Sequence, residues 1–556
     1  MVNELLNKGR QALSIGEWER ARKLLEEALN KDESPEIYEE LGWAFWWLND
    51  AVSVFDYRLK AYNLFLDKDN KPGAARNAIW IGIDHIEFKG EFAVAGGWFQ
   101  RAENLLEGIN NTWEAGLMKI TKARWAFQAE KNTELAFKLI DESLQISKLI
   151  KSIDGEMLCE ALKGFILVVE GRISEGMSLL DEATLLALTH ENSDIKTTTT
   201  TYCFLIDACE RIRDYERANE WCNNVREICK RWRYKAMFAN CKMKHAGVLI
   251  WKGDWKEAEE ELSSAITELK ELRPAQINAC IVRLADLRRR QGKWNEAEKL
   301  LNEVGSHPLK QLYCAALFYD KEEYENALNP AERYLRQIPV KEKGERAVGV
   351  ELLLRIYVKL GKLDHVEILL NELSEITNSI NTLPLKAALL NAKGIYNFGS
   401  NNLELAKENL EDAVDLYDKI TLTFEAAKCR VLLSEISFKL NKLVQAEAEL
   451  NSAIATFEEL GAEKDSEKAK HVLKNLYKVN TDDLNKNEYE FTGRELEVLR
   501  LITEGKSNDE IAEKLFLSTR TVEKHITNIY SKMGISGKSA RAYAASYAIK
   551  HNLIFS

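Results

Sequence analysis

Small apolar residues recur along this chain at fixed intervals, separated by polar turns. Spacings of seven, five and seven hold in Gly9, Gly16, Ala21 and Ala28, again in Gly164, Gly171, Gly176 and Ala183, and again in Ala246, Gly253, Ala258 and Ala265. Three of the four positions survive in Gly90, Ala95 and Ala102 and in Ala285, Gly292 and Ala297. Later copies place Asn at the turn, as in Gly394, Asn401, Ala406 and Ala413 and in Asn441, Ala446 and Ala453. A helical hairpin accounts for the pattern. The first small residue lets two helices approach, the Gly or Asn takes the left-handed conformation that ends the first helix, and alanines seven apart share a face of the second.

The turn pieces Gly16-Glu17-Trp18, Gly253-Asp254-Trp255 and Gly292-Lys293-Trp294 are each followed by Ala three residues on. With these the pattern resembles the tetratricopeptide repeat. Anchor alanines at Ala218, Ala258, Ala297, Ala327, Ala406 and Ala446 step mostly by 39 or 40, a length similar to the extended repeats in the sensor arms of large MalT-like bacterial regulators. The spacing therefore predicts a helical-hairpin superhelix over residues 1–478. Such arrays offer a concave face to a protein, a peptide or a small ligand, and the spacing does not choose among these.

All 13 tryptophans precede residue 295, and Trp43, Trp46, Trp47, Trp80 and Trp98 crowd the first hundred residues with Asp84 and His85. Filling of wide gaps between helices is the simpler reading, since Trp18, Trp255 and Trp294 sit at turns where that role is usual. If the cluster is instead a ligand groove, its candidate residues are Trp46, Trp80, Asp84 and His85.

The repeat signal fades between Val479 and Tyr489 into a polar stretch that reads as a linker over 479–489. Beyond it, Thr492 with Glu495 forms the sequence of a capping box, opening a helix with Leu496, Leu499 and Ile502 on one face. Ser507 with Glu510 repeats the device for a short helix holding Ile511, Ala512 and Leu515. Ser518 caps a third helix that runs to Met533 and is stopped by Gly534, and Ser539 begins a fourth. A tight Gly505-Lys506 turn and a two-residue Phe516-Leu517 link make this a helix-turn-helix plan over 490–556.

The residues themselves are more specific. Phe491-Thr492-Gly493-Arg494-Glu495-Leu496-Glu497-Val498-Leu499, Gly505-Lys506-Ser507-Asn508-Asp509-Glu510-Ile511-Ala512 and Thr521-Val522-Glu523-Lys524-His525-Ile526-Thr527-Asn528-Ile529 resemble the opening, the scaffold helix and the recognition helix of LuxR-type (LuxR/GerE, NarL-like) DNA-binding domains; Lys532-Met533-Gly534-Ile535 continues the pattern. The resemblance covers about 60 residues. It implies an all-α protein that reads the major groove of double-stranded DNA, acting as a homodimer on two half-sites. By matching position, Glu523, Lys524 and Thr527 are the expected base readers, and Thr521 is also expected at the DNA. Arg520, His525, Asn528 and Lys532 are placed for phosphates, with the amino end of the helix also favouring an anion. Val522, Ile526 and Ile529 are expected to be core. Many members carry Lys where this chain has Glu523, so base preference is expected to differ: a carboxylate repels phosphate but accepts a hydrogen bond from cytosine. The fourth helix offers Ala542, Ala545, Tyr547 and Ile549 as a small contact surface for dimers.

Charge agrees with this division. Residues 491–556 hold 10 basic and 7 acidic side chains, net +3, which leaves 67 against 81, net −14, for residues 1–490. An acidic body with a basic tail suits a DNA reader appended to an interaction scaffold. Seven prolines and 28 glycines in 556 residues suit helices rather than strands. No apolar run approaches the roughly 18 residues of a membrane span, and the N-terminus lacks the plan of a secretory signal, so a cytoplasmic protein without membrane contact is expected. The nine cysteines show no zinc-knuckle spacing and are expected as reduced, mostly buried thiols. Gly505-Lys506-Ser507 and Gly537-Lys538-Ser539 lack the upstream glycine of a phosphate-binding loop, since Arg500 and Lys532 stand there. No catalytic constellation, metal site or cofactor is expected. The competing reading is an adaptor whose helical tail docks onto protein; salt-dependent binding of DNA by the C-terminal segment separates the two.

Overall fold

The computed structural model describes residues 2–189, 194–232, 235–305, 307–484, 491–537 and 540–550, with all their side chains except those of 228–232, 235–238, 271, 272, 274, 476–484 and 550. All regular structure among the described residues is helical. The chain divides into two compact units, Met1–Ser466 and Glu467–Ser556.

Among the described residues of the first unit twelve antiparallel hairpins follow one another, from Val2–Ser14 with Trp18–Leu29 to Thr423–Lys439 with Leu443–Leu460. First helices of successive hairpins stack on one another, as Trp113–Gln128 does on Ile153–Val169 and that helix on Ile195–Ile212. The hairpin chemistry read from the spacing is present. Gly16, Gly171, Gly253 and Gly292 have φ between +78° and +93°, and Asn401 and Asn441 adopt the same left-handed region at +61° and +59°. A β-carbon on Gly9 would lie 2.7 Å from Leu25, and one on Gly164 would lie 2.7 Å from the Gly176 carbonyl. Ala21, Ala28, Ala258, Ala265, Ala406 and Ala413 are fully buried. The fold is thus a tetratricopeptide-type array. One hairpin outside the spacing pattern pairs Trp113–Gln128 with Thr133–Ile150; there Lys131, not Gly, takes φ +54°, and Asn132 caps the second helix by accepting the Leu135 N–H at 3.0 Å.

The array winds so that later hairpins return against earlier ones. Arg273 reaches Glu87 at 2.8 Å, Arg213 reaches Glu351 at 2.5 Å, and Arg290 reaches Glu425 at 3.2 Å. Ser379 Oγ donates to the Gly171 carbonyl at 3.0 Å and Thr382 Oγ1 to the Ile212 carbonyl at 2.8 Å. These arginines are buried, so each carboxylate offsets a large desolvation cost; a guanidinium stranded there without its partner would be strongly destabilising. The eight described cysteines are free; Cys159, Cys209, Cys222, Cys241, Cys280 and Cys429 are buried, and burial pushes the Cys203 thiol up to about 12.

The helix Glu463–Leu484 crosses the boundary between the units. The polar stretch 479–489, expected as a linker, is therefore helical through Leu484, and 485–490 lie outside the described residues.

The second unit continues with the helices Gly493–Thr503, Asn508–Lys514, Thr519–Lys532 and Ala540–Lys550. Both expected capping boxes form: Thr492 and Ser507 each accept the N–H three residues on, and Glu495 and Glu510 return to the cap N–H at 2.8 Å. Val498, Leu499, Ile502, Ile511, Val522, Ile526, Ile529 and Ala544 make one core. The start of the last helix was expected at Ser539, which lies outside the described residues; its first described position is Ala540.

Candidate nucleic-acid interface

Three elements hold the helix Thr519–Lys532. Its N-terminus is capped by Ser518, whose Oγ accepts the Thr521 N–H at 3.2 Å, while Thr519 Oγ1 donates to Asp509 Oδ1 at 2.9 Å. The link from the preceding helix turns at Phe516, which takes φ +54° and stands 96% exposed, and closes with the Leu517 N–H on the Ala512 carbonyl at 2.8 Å. Val522, Ile526 and Ile529, four and three apart, enter the core and fix the rotation of the helix about its axis.

That rotation decides what faces outward. Arg520, Glu523, Lys524, Thr527 and Asn528 are exposed and lie at helical spacing on one stripe, with Thr521 and His525 half-buried at its edge. Among the described residues the side chains of Arg520, Glu523, Lys524, His525 and Asn528 make no hydrogen bond or ion pair. The Thr527 hydroxyl donates to the Glu523 carbonyl at 2.8 Å, leaving its lone pairs and methyl outward. Donors and acceptors with no internal partner, one carboxylate among them, are what an aqueous face or a base-reading face requires.

Lys532 differs from the others expected at phosphates. Its Nζ lies 2.7 Å from Glu495 Oε2, and the Glu495 side chain is only 3% exposed. Burial pushes the Glu495 carboxyl up, but donation from Lys532 and from the Thr492 backbone and hydroxyl outweighs this and holds it below the ordinary carboxylate range. Lys532 therefore fastens the end of this helix to the start of the first.

Two positioning residues escaped the sequence reading. Arg494 donates to the Leu515 carbonyl at 2.6 Å, and Arg541 to Asn508 Oδ1 at 2.9 Å and to the Lys506 carbonyl, so the two ends of Asn508–Lys514 are each held by an arginine from another helix. Arg494 lies in the opening motif, but its partner 21 residues away is invisible without the fold.

In the repeat region the four candidate ligand residues separate. Trp80 lines a cavity of about 600 Å³. Asp84 sits behind the wall, wholly buried, with Oδ2 2.7 Å from Arg58 Nε, and burial pushes its carboxyl up despite that guanidinium. His85 Nδ1 pairs with Glu91 at 2.7 Å and its ring lies 4.6 Å from Phe55. Trp46 is buried with two cations against its ring, Lys196 Nζ at 4.0 Å and Arg273 Cζ at 4.5 Å from the centroid. Tryptophan as a platform for buried cations is a packing role that a count of aromatics does not reveal.

Residues 490–545 match the family described as bacterial regulatory proteins, luxR family. The chain is 52% identical over 63 residues to the transcriptional regulatory protein LiaR of Bacillus subtilis (strain 168), covering 11% of this chain and 28% of that protein. It is 49% identical over 61 residues to the oxygen regulatory protein NreC of Staphylococcus aureus (strain JH9), covering 11% and 27%. The chain thus spans little more than a quarter of these relatives' own lengths. Among solved structures, that of the APC/C hetero-tetramer Cut9–Hcn1 is similar with a TM-score of 0.45 and 14% identity, over 99% of this chain and 96% of that one. With the helix order, the two capping boxes and the family match in agreement, the C-terminal segment is a LuxR-family helix-turn-helix domain, carried at the end of a tetratricopeptide-type helical array.

Proposed function

We propose that the chain is a sequence-specific DNA-binding transcription regulator. In this reading residues 490–556 are the reader, and the repeat region 1–478 receives a protein, peptide or small-ligand signal that controls it. The observation that carries the proposal is the uncommitted polar stripe from Arg520 to Asn528 on a helix whose opposite face is locked in the core. Glu523, Lys524 and Thr527, with Thr521, would meet base edges; Arg520, His525 and Asn528 would grip phosphates. No helix among the described residues is long and apolar enough to cross a membrane, which suits a regulator working beside chromosomal DNA in the cytoplasm.

Pairing on DNA belongs to the same proposal. Tyr543 and Ile549 each stand 55% exposed on the last helix, beside the exposed Ala542, while Ala544 and Ala548 face the core. Ala542 and Ile549, seven apart, share a face of this short helix with Tyr543 at its flank, and exposed apolar side chains of this kind suit a two-fold contact between readers.

The deciding experiment is fluorescence anisotropy of the full chain on its own upstream DNA, titrated with salt. Binding that falls steeply with salt and is weakened by Lys524→Ala supports the regulator. Affinity unchanged by both Lys524→Ala and Arg520→Ala overturns it.

A further inference from the structure

The cavity of about 600 Å³ that Trp80 lines has a consistent chemistry. Its walls are rings from several hairpins, among them Trp43, Trp80, Phe99, Trp113, Trp125 and Phe204. Part of its rim is made where the helix Lys71–Asp84 widens into the π-turn His85–Lys89, which brings Ile86 and Glu87 to the cavity. The volume is that of a pocket for a drug-sized molecule.

Its polar groups are nearly all engaged. Arg76 pairs with Glu39 at 2.7 Å and with Glu114. Glu87 is held by Arg273 at 2.8 Å and Lys196 at 3.3 Å. Asp194 accepts the Thr197 N–H and hydroxyl at 2.8 and 3.0 Å, and Asp154 accepts the Asp194 N–H at 3.2 Å. The Thr121 and Thr200 hydroxyls donate to carbonyls of their own helices.

Arg124 is the exception. An exposed side chain that lines the cavity, it makes no hydrogen bond or ion pair among the described residues, and its Cζ lies 5.9 Å from the Phe204 ring centroid. Gln128, one turn on along the same helix and also lining the cavity, likewise makes no hydrogen bond. A guanidinium carries five donors in a planar fork that matches carboxylates and phosphates. A cationic ligand would need a free carboxylate here, and the lining carboxylates are committed. An extended peptide would need a row of amide partners, and the cavity offers the single amide of Gln128.

We propose that this cavity binds a small organic anion: a flat, mainly apolar body against the tryptophan and phenylalanine rings, with a carboxylate, sulfonate or phosphate on Arg124 and Gln128. The assignment rests on the reading that the repeat region receives a signal, and names that signal's class.

The test uses the full chain and two fluorescent probes, 8-anilinonaphthalene-1-sulfonate and the neutral N-phenyl-1-naphthylamine, followed by energy transfer from tryptophan. The sulfonate should bind; Arg124→Gln should weaken it about tenfold while leaving the neutral probe within about twofold, and Arg124→Lys should restore part of the loss. Ala129→Trp, which adds a ring from the exposed rim without touching the buried wall, should exclude both probes. Equal sulfonate affinity in Arg124→Gln and the parent chain, or sulfonate binding untouched by Ala129→Trp, overturns the proposal. Promoter anisotropy on the same samples separates the two readings. A parent chain that ignores promoter DNA overturns the regulator while the probes still judge the cavity, and probe failure with promoter binding intact overturns the cavity alone.

Discussion

Lys532 Nζ lies 2.7 Å from Glu495 Oε2, so the last turn of the helix Thr519–Lys532 is tied to the capping box that opens the LuxR-type domain. The pair makes Lys532 a part of the framework that sets the angle of this helix. Replacing it by Met should destabilise the C-terminal domain by about 1–2 kcal/mol, because the buried carboxylate keeps its Thr492 donors but loses its charged one. Chemical denaturation of the full chain followed in this domain checks it. A double-mutant cycle with Glu495→Gln should return a coupling of about 1 kcal/mol, and a coupling near zero would contradict the framework role.

Acid should act through the same carboxyl. Glu495 is held below its ordinary value of 4.5, so the folded state binds its proton less readily than the unfolded one. That stabilisation is present in full above about pH 4.5 and disappears as pH drops through the folded-state value. The stability difference between the parent chain and Glu495→Gln should therefore shrink on acidification below that point, as thermal melts across a pH series would reveal.

The contacts proposed for the exposed stripe are of two kinds. Lys524→Ala should lower promoter affinity by about 1–3 kcal/mol and relax base preference at one position. Arg520→Ala should weaken all sequences alike and reduce the salt slope by about 1. Anisotropy on a small panel of operator variants, each at several salt concentrations, distinguishes these outcomes.

Glu523 gives a sharper forecast. Its carboxylate is exposed, unpaired among the described residues, and able to accept from a cytosine amino group while repelling phosphate. Glu523→Lys should raise affinity for unrelated DNA, steepen the salt slope and remove discrimination at the position it reads. Selection of bound sequences from a random pool would expose the altered preference.

Tyr543 and Ile549 bear on assembly. Changing both to Ser should leave the domain folded, since each is 55% exposed, and should convert two protomers per operator into one. Analytical ultracentrifugation of the DNA complex reads this directly; two protomers retained would place the contact elsewhere.

The array and the C-terminal helices were legible because local chemistry fixes them. Gly16, Gly253 and Asn401 must supply left-handed turns, and Thr492 with Glu495 needs only three residues of chain to declare a helix start. The cavity was legible only in part. Trp80 was singled out, but Arg124, Trp125 and Phe204 lie in later hairpins, and nothing in their local sequence marks a shared wall. Trp46 and Asp84 were singled out for proximity along the chain, yet Trp46 is filled against Lys196, 150 positions on, and Asp84 against Arg58 one hairpin earlier. Tertiary partners chosen by winding, not by periodicity, made that difference.

The pairs that bridge successive windings of the array bear on how it comes into being. A solenoid whose units touch only their neighbours assembles and melts piecemeal. Here Arg213 waits 138 residues for Glu351, and Arg290 waits 135 for Glu425. A nascent chain released after its first three hundred residues would carry Arg213 and Arg290 stranded where the finished protein has them satisfied. Deleting terminal hairpins should therefore cripple central ones, and the region should unfold as a single cooperative block.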